Sequence, residues 1–201
     1  MDVKKLTKKD FTHQLIIEKA AQLFNNKGYS STSISDIMKA TGLKKGGIYS
    51  HFKSKTEIEI AAFDYLLNRI FNSFDPSVLN NKTAVEKLNI IIDYRESLYD
   101  SFLKGGCPIL NAGIESDEYN QELQNHVKKS IERWKQLIIE IIKAGKKNNE
   151  IRPDFDPEEF AITYITAIEG GNFLTKVYNN RDYRAKAIDR IKKFIKEEIG
   201  E

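Results

Sequence analysis

The sequence contains one cysteine, Cys107, so no intrachain disulfide can form. Only three histidines stand beside it, His13, His51 and His126, which excludes a structural zinc site built from several Cys and His ligands. Proline is scarce, with 4 in 201 residues and none before Pro76, and glycine numbers 11. These counts exclude collagen-like and proline-rich classes, and a hydrophobic share of 40% leaves enough apolar material for a core. Long hydrophobic runs are missing. The densest, Leu137 to Ile142, is interrupted by Glu140, whereas a membrane span needs about 18 apolar residues or more. The opening Met1-Asp2-Val3-Lys4-Lys5-Leu6 has no apolar stretch of the secretory kind. A soluble, cytoplasmic protein with no membrane partner is expected. Gly-rich phosphate loops, zincin histidine pairs and Gly-x-Ser-x-Gly elbows are also missing. No catalytic residue, metal or cofactor is therefore expected, and the chain reads as a non-enzyme.

What is present is unevenly distributed. The formal charge is +3, from 32 Lys+Arg against 29 Asp+Glu. Residues 1–56 hold eleven Lys, no Arg and four acids (Asp2, Asp10, Glu18 and Asp36), a net of +7. The remaining residues hold 21 Lys+Arg and 25 Asp+Glu, a net of −4. A basic first quarter on an acidic remainder points to a polyanion meeting one end of the molecule. A solvated lysine-rich surface would give the same charge count.

The periodicity is helical almost throughout. Phe11, Leu15, Ile16, Ala20, Leu23 and Phe24 form a stripe over residues 10–27, and Gly28 stops it. Ser33 and Asp36 are spaced as an N-cap and its third helical position. They open a short helix that Gly42 ends. Lys45 to His51 form another, and Ser54 caps a longer one closed by Phe74-Asp75-Pro76. Further helices are expected over 83–103, from Pro108 to about Glu115, and over 119–148, 158–178 and 183–199. No segment alternates with period two. The fold class is all-α with about nine helices. An N-terminal three-helix helix-turn-helix domain, residues 1–56, precedes a larger helical domain, residues 57–201.

Ile37, Leu43 and Ile48 are placed to pack two short helices together, with Gly42 in the turn. The wider run is more specific. Ile16-Ile17-Glu18-Lys19-Ala20-Ala21-Gln22-Leu23-Phe24, Gly28-Tyr29, Thr32-Ser33-Ile34-Ser35-Asp36-Ile37 and Gly42-Leu43-Lys44-Lys45-Gly46-Gly47-Ile48-Tyr49-Ser50-His51-Phe52-Lys53-Ser54-Lys55 together resemble the N-terminal domain of the TetR family of transcriptional repressors. The chain departs from the common pattern at His13, where Arg is frequent, at Met38 for Ala, at Lys44 for Ser and at Gly47 for Thr. The resemblance implies double-stranded operator DNA as a partner, with the 45–51 helix entering the major groove by its N-terminal end. Lys44 and Lys45 suit phosphates or guanine edges, and Gly46 and Gly47 permit close backbone approach. Tyr49, His51 and Lys55 offer polar tips for phosphate, and Thr32 and Ser33 offer hydroxyls. Lys4, Lys5, Lys8 and Lys9 are candidates for an arm over the DNA backbone.

Gly105-Gly106-Cys107-Pro108-Ile109-Leu110-Asn111 and Ile168-Glu169-Gly170-Gly171 resemble patches in one subset of C-terminal domains of that family. The resemblance implies a pocket for a small-molecule effector and a homodimer formed through the last two helices. Ile162, Ile165, Ile168, Phe173, Ile188, Ile191 and Ile195 supply apolar stripes suited to such a bundle. The pocket candidates are Tyr94, Tyr99, Cys107, Asn111, Glu115, Trp134, Glu169 and Phe173, a set suited to a hydrophobic or aromatic effector. Two other functions stay open at this point. One is an enzyme with Cys107 as nucleophile and His126 as base. The other is a helical adaptor whose helix-turn-helix no longer binds DNA.

Overall fold

Helix starts are set by local polar chemistry in this chain. In the computed structural model, which describes residues 7–72, 75–101, 103, 105–116 and 120–199, the first helix, α1 (Lys8–Lys27), begins two residues before the apolar stripe. The reason is a capping box. The Thr7 hydroxyl accepts from the Asp10 backbone N–H at 3.2 Å, and the Asp10 carboxylate accepts from the Thr7 N–H at 2.9 Å. Lys8 and Lys9 therefore belong to a helix and not to an extended arm. Lys4 and Lys5 lie outside the described residues, as do Phe74 and Phe102. The same device opens α2 (Ile34–Thr41), where Ser33 and Asp36 pair at 2.8 Å and 3.2 Å. Hydrogen bonds from Ser33, then Lys27, hold the Asp36 carboxyl well below the usual carboxylate range.

The remaining helices are α3 (Lys45–Tyr49), α4 (Lys55–Asn72), α5 (Ala84–Ser101), α6 (Pro108–Glu115), α7 (Gln121–Lys147), α8 (Pro157–Tyr178) and α9 (Asp182–Phe194). A 3₁₀ turn over Pro76–Leu79 separates α4 from α5, and a π-turn over Ile195–Ile199 follows α9. No strand occurs among the described residues. Prolines sit where a missing N–H costs nothing, in the first turns of α6 and α8. Asp156 caps α8 by accepting from the Glu158 and Glu159 N–H groups.

Ile16, Ala20, Phe24, Ile37, Ile48 and Phe52 are buried together with Ile58 and Ala62 of α4. The three N-terminal helices thus share a core with the first half of a helix that continues into the larger part. There α7 packs against α4, α5, α6 and α8, and α8 packs along α9. Trp134, Tyr164, Leu88, Ile92, Leu123, Ile138 and Ile142 carry the same core through the larger part.

The double glycine in α8 serves this packing. A Cβ on Gly171 would lie 2.8 Å from Ala187 Cβ and 3.2 Å from Arg184 Cα, so glycine lets α9 approach its own chain's α8. Gly170 meets nothing within 4 Å. One expectation changes as a result. Ile168, Ile188, Ile191 and Ile195 are buried within the chain and are not offered to a partner. The apolar groups that α8 leaves outside are Ile162, Phe173, Leu174, Val177 and Tyr178.

Candidate nucleic-acid interface and interior cavity

Two helices joined by a tight turn make the first site. Gly42 adopts a left-handed conformation with φ of 72° and donates its N–H to the Met38 carbonyl. That turns the chain so that α3 lies across α2, with Ile37 and Ile48 buried between them. Lys44, Lys45, Gly46 and Tyr49 face solvent on the other side. Lys45 Nζ rests 5.9 Å from the centre of the Tyr49 ring. A Cβ on Gly46 would meet nothing within 4 Å, and one on Gly47 only Leu43 at an ordinary 3.7 Å. The fold does not require either glycine, and the space in front of Gly46 is open to an approaching surface. His51 is half-buried at the end of this unit, its ring 6.1 Å from that of His13, which in turn stacks on Phe52 at 4.6 Å.

Three residues placed in this interface by sequence are occupied elsewhere. Thr32 is buried at 1% exposure, and its hydroxyl donates to the Gly28 carbonyl at 2.6 Å. Lys55 reaches inward, donating to the Tyr29 carbonyl at 2.6 Å and pairing with Glu59 at 3.1 Å. It clamps α4 to the end of α1. Ser33 is exposed, but its hydroxyl is the α2 cap.

A polar joint ties this unit to the rest. Asn111 of α6 donates to the Asn25 side-chain oxygen at 3.0 Å and backbone carbonyl at 3.2 Å, and to the Gly105 carbonyl at 3.0 Å. Asn25 donates to the Gly106 carbonyl at 3.1 Å, and Lys176 of α8 donates to Asn111 Oδ1 at 2.8 Å. Below this, Glu115 accepts from the Ser30 backbone and hydroxyl at 3.0 and 2.9 Å. Asn111 and Glu115 thus tie α6 to the end of α1 and to the turn that follows it. A polar cleft of about 610 Å³ opens beside the joint, lined by Asn26, Tyr99, Gly106, Lys176, Asn179 and Arg181 among others.

Inside the larger unit, Arg95 brings several candidates together. Its guanidinium lies 3.8 Å from the centre of the Trp134 ring and 3.6 Å from the Glu169 carboxylate. Trp134 meets Tyr164 edge-on at 6.2 Å. A small cavity of about 50 Å³ adjoins this group, walled by Ile70, Phe71, Ile91, Tyr94, Arg95, Trp134 and Leu137. Tyr99 stands apart under the Arg184 guanidinium, 3.6 Å from its ring centre. Phe173 is 48% exposed on the outer side of α8 and lines none of these cavities. Arg95 and Tyr164 were not among the sequence candidates. Arg95 carries a readable signal, since it continues the apolar stripe Leu88, Ile91 and Ile92 by one turn and so places a charge in the core.

Cys107 is buried, and burial, reinforced by the Glu169 carboxylate, pushes its thiol up to about 12. His126, the base expected for it, pairs instead with Asp64 at 2.9 Å. A nucleophilic Cys107 thus lacks both thiolate and base. Native protein at pH 7.5 is expected to resist iodoacetamide, with stoichiometric labelling only after denaturation; labelling within minutes in the native state would contradict this. Among the described residues no group of three or more His, Cys, Asp or Glu side chains is placed to hold a metal. No described helix is long and apolar enough to cross a membrane.

An exposed basic helix-turn-helix joined through α4 to a helical domain with a small apolar cavity defines a DNA-binding protein with an effector-binding domain. Comparison with known proteins agrees. Residues 16–62 match the family described as bacterial regulatory proteins, tetR family, and residues 84–191 match the family described as tetracyclin repressor-like, C-terminal domain. The chain belongs to the TetR family and is a DNA-binding transcriptional regulator. A TetR transcriptional regulator from Chloroflexus aurantiacus is 35% identical, with a TM-score of 0.90 over 97% of this chain and 99% of that one. A TetR-family regulator from Cytophaga hutchinsonii is 34% identical, with a TM-score of 0.84 over 96% of each. The HTH-type transcriptional repressor DhaR of Mycobacterium sp. strain GP1 is 25% identical over 171 residues, 84% of both chains.

Proposed function

We propose that the chain is a dimeric cytoplasmic repressor that leaves a near-palindromic operator when a small, largely hydrophobic effector enters the larger domain. The observation that carries the reading is α3. Lys44, Lys45, Gly46 and Tyr49 are exposed together on the first turns of a short helix, and the fold makes no use of their outer surfaces. The working division between DNA-binding and effector regions falls near residue 56, in the first turn of α4. The exposed apolar side of α8 (Ile162, Phe173, Leu174, Val177 and Tyr178) supports pairing with a second copy. Two recognition helices related by a two-fold axis would meet half-sites about 34–36 Å apart.

Fluorescence anisotropy on DNA from the protein's own promoter region tests this. A complex tighter than that with random DNA is expected at low salt. Its log–log salt slope should be about −0.9 per neutralised phosphate. Equal affinity for random DNA would overturn the reading.

A further inference from the structure

The cleft of about 610 Å³ beside the Asn25–Asn111 joint already has the size of a small-molecule site, ~300–1,000 Å³. The interior cavity, at about 50 Å³, does not. Three segments wall the cleft: the last turn of α1 at Asn26, the loop at Gly105 and Gly106, and the end of α8 with the turn into α9. Its charge is of one sign. Lys176 and Arg181 line it, and among the described residues no carboxylate does. One turn from Asn111 and Tyr99 along their helices, Glu115 and Glu96 are turned to Ser30 and Arg184. Asp182, next to Arg181 in the chain, is exposed in the first turn of α9 and lies outside the lining.

Lys176 is also held in place. Ordering a lysine side chain normally costs rotamer entropy when a ligand binds. Here the fold has ordered it beforehand. Asn111 donates through Nδ2 to Asn25 and Gly105 at 3.0–3.2 Å, so its Oδ1 must point the other way, and Lys176 Nζ donates to that oxygen at 2.8 Å. Asn111 is neutral and leaves the charge of Lys176 unmatched. The ammonium has three N–H donors, and among the described residues no carboxylate pairs with it. An ordered cation with donors to spare, on the wall of an open cleft, suits an anion. The rest of the lining suits hydroxyl groups. Asn26, Thr175 and Asn179 contribute polar side chains, and the Tyr99 hydroxyl lies 3.7 Å from where a Cβ on Gly106 would stand.

We infer that this cleft binds a small hydroxylated metabolite carrying a phosphate or carboxylate group, with its anionic end on Lys176 and Arg181 and its hydroxyls toward Asn26, Tyr99 and Asn179. The site is separate from that of the hydrophobic effector and does not depend on it. A ligand lodged there touches α1, the α5–α6 loop and α8 together. It therefore reinforces the same seat that the Asn25 and Asn111 hydrogen bonds make.

The test uses full-length protein, isothermal titration and four probes on one sugar ring: glucose 6-phosphate, glucuronate, glucose and glucosamine. At least one of the two anions is expected to bind roughly tenfold or more tightly than glucose and glucosamine, the scale of a charge-assisted hydrogen bond. Which anion binds more tightly tells phosphate from carboxylate. Lys176→Gln removes the charge but keeps an N–H for Asn111. It is expected to weaken the favoured anion roughly tenfold, with the melting temperature of the ligand-free protein close to wild type. Should Lys176→Gln fail to fold, Arg181→Gln carries the same expectation. Lys45→Ala, on the DNA-binding surface, is expected to leave the affinity within about twofold, because additive effects are confined to distant sites. The inference is overturned if neither anion binds more tightly than glucose and glucosamine, or if the folded Lys176 or Arg181 variant binds as wild type does. An equal loss in Lys45→Ala also overturns it, since the anion would then be held by the basic surface at large. None of these results bears on operator recognition, which the anisotropy titration decides by itself.

Discussion

Replacing Lys45 and Tyr49 together with alanine is expected to weaken operator binding by roughly 100-fold, with the fold intact. Both side chains project from α3 into solvent, and their approach to one another, 5.9 Å from Nζ to ring centre, supports nothing beneath them. The core of the unit depends on Ile37, Ile48 and Phe52, which the double variant leaves alone. Removing one hydrogen bond to a base or phosphate at each position costs about 1–1.5 kcal/mol, and each 1.4 kcal/mol is tenfold. Anisotropy titration with an unchanged far-UV circular dichroism spectrum is the check. Affinity within threefold of wild type would show that the recognition surface lies elsewhere. Lys55→Ala makes the contrast, because its ammonium is spent on Tyr29 and Glu59. Its effect should appear mainly as lower thermal stability.

Gly105→Ala is expected to destabilise the protein by about 2–4 kcal/mol, the range of forced overpacking against unyielding atoms. The added Cβ would lie 2.4 Å from the Asn25 carbonyl oxygen and 2.7 Å from its carbon. Both are backbone atoms of α1, so no side-chain rotation gives relief. Either α1 or the loop before α6 must move. The move would break the Asn25 bond to Gly106 and the Asn111 bonds to Asn25, which are 3.0–3.2 Å long. Urea unfolding measures the loss, and a midpoint unchanged from wild type would show that the joint yields without cost.

The helices are readable from the chain because their caps and stripes are local. Ser33 with Asp36, Gly42, and Pro108 and Pro157 in first turns each declare a boundary within a few residues. The direction a polar side chain takes is not local, and the sequence pattern does not carry it. Thr32 and Lys55 look like surface groups in a basic motif, but Gly28 and Tyr29 carbonyls brought close by the fold capture them. Asn111 has the look of a pocket residue and is instead the centre of a joint with a residue 86 positions away. The isoleucines of α9 carry the expected periodicity, which shows that a face is buried but not against what. Their partner is the same chain, admitted by Gly171. Arg95 falls on a buried stripe, and the sequence has no means of showing that Trp134, Tyr164 and Glu169 converge on it.

The joint at Asn25 also sets the unit in which this protein can be recombined. A graft that exchanges the DNA-binding portion for a relative's, cut at the start of α4, carries away Asn25, Asn26, Gly28 and Ser30. It leaves their partners, Gly105, Gly106, Asn111 and Glu115, behind. The exchanged and retained parts would then meet across mismatched polar surfaces. A working chimera must carry the Gly105–Glu115 segment together with α1, so the transferable module is discontinuous in the chain although contiguous in space.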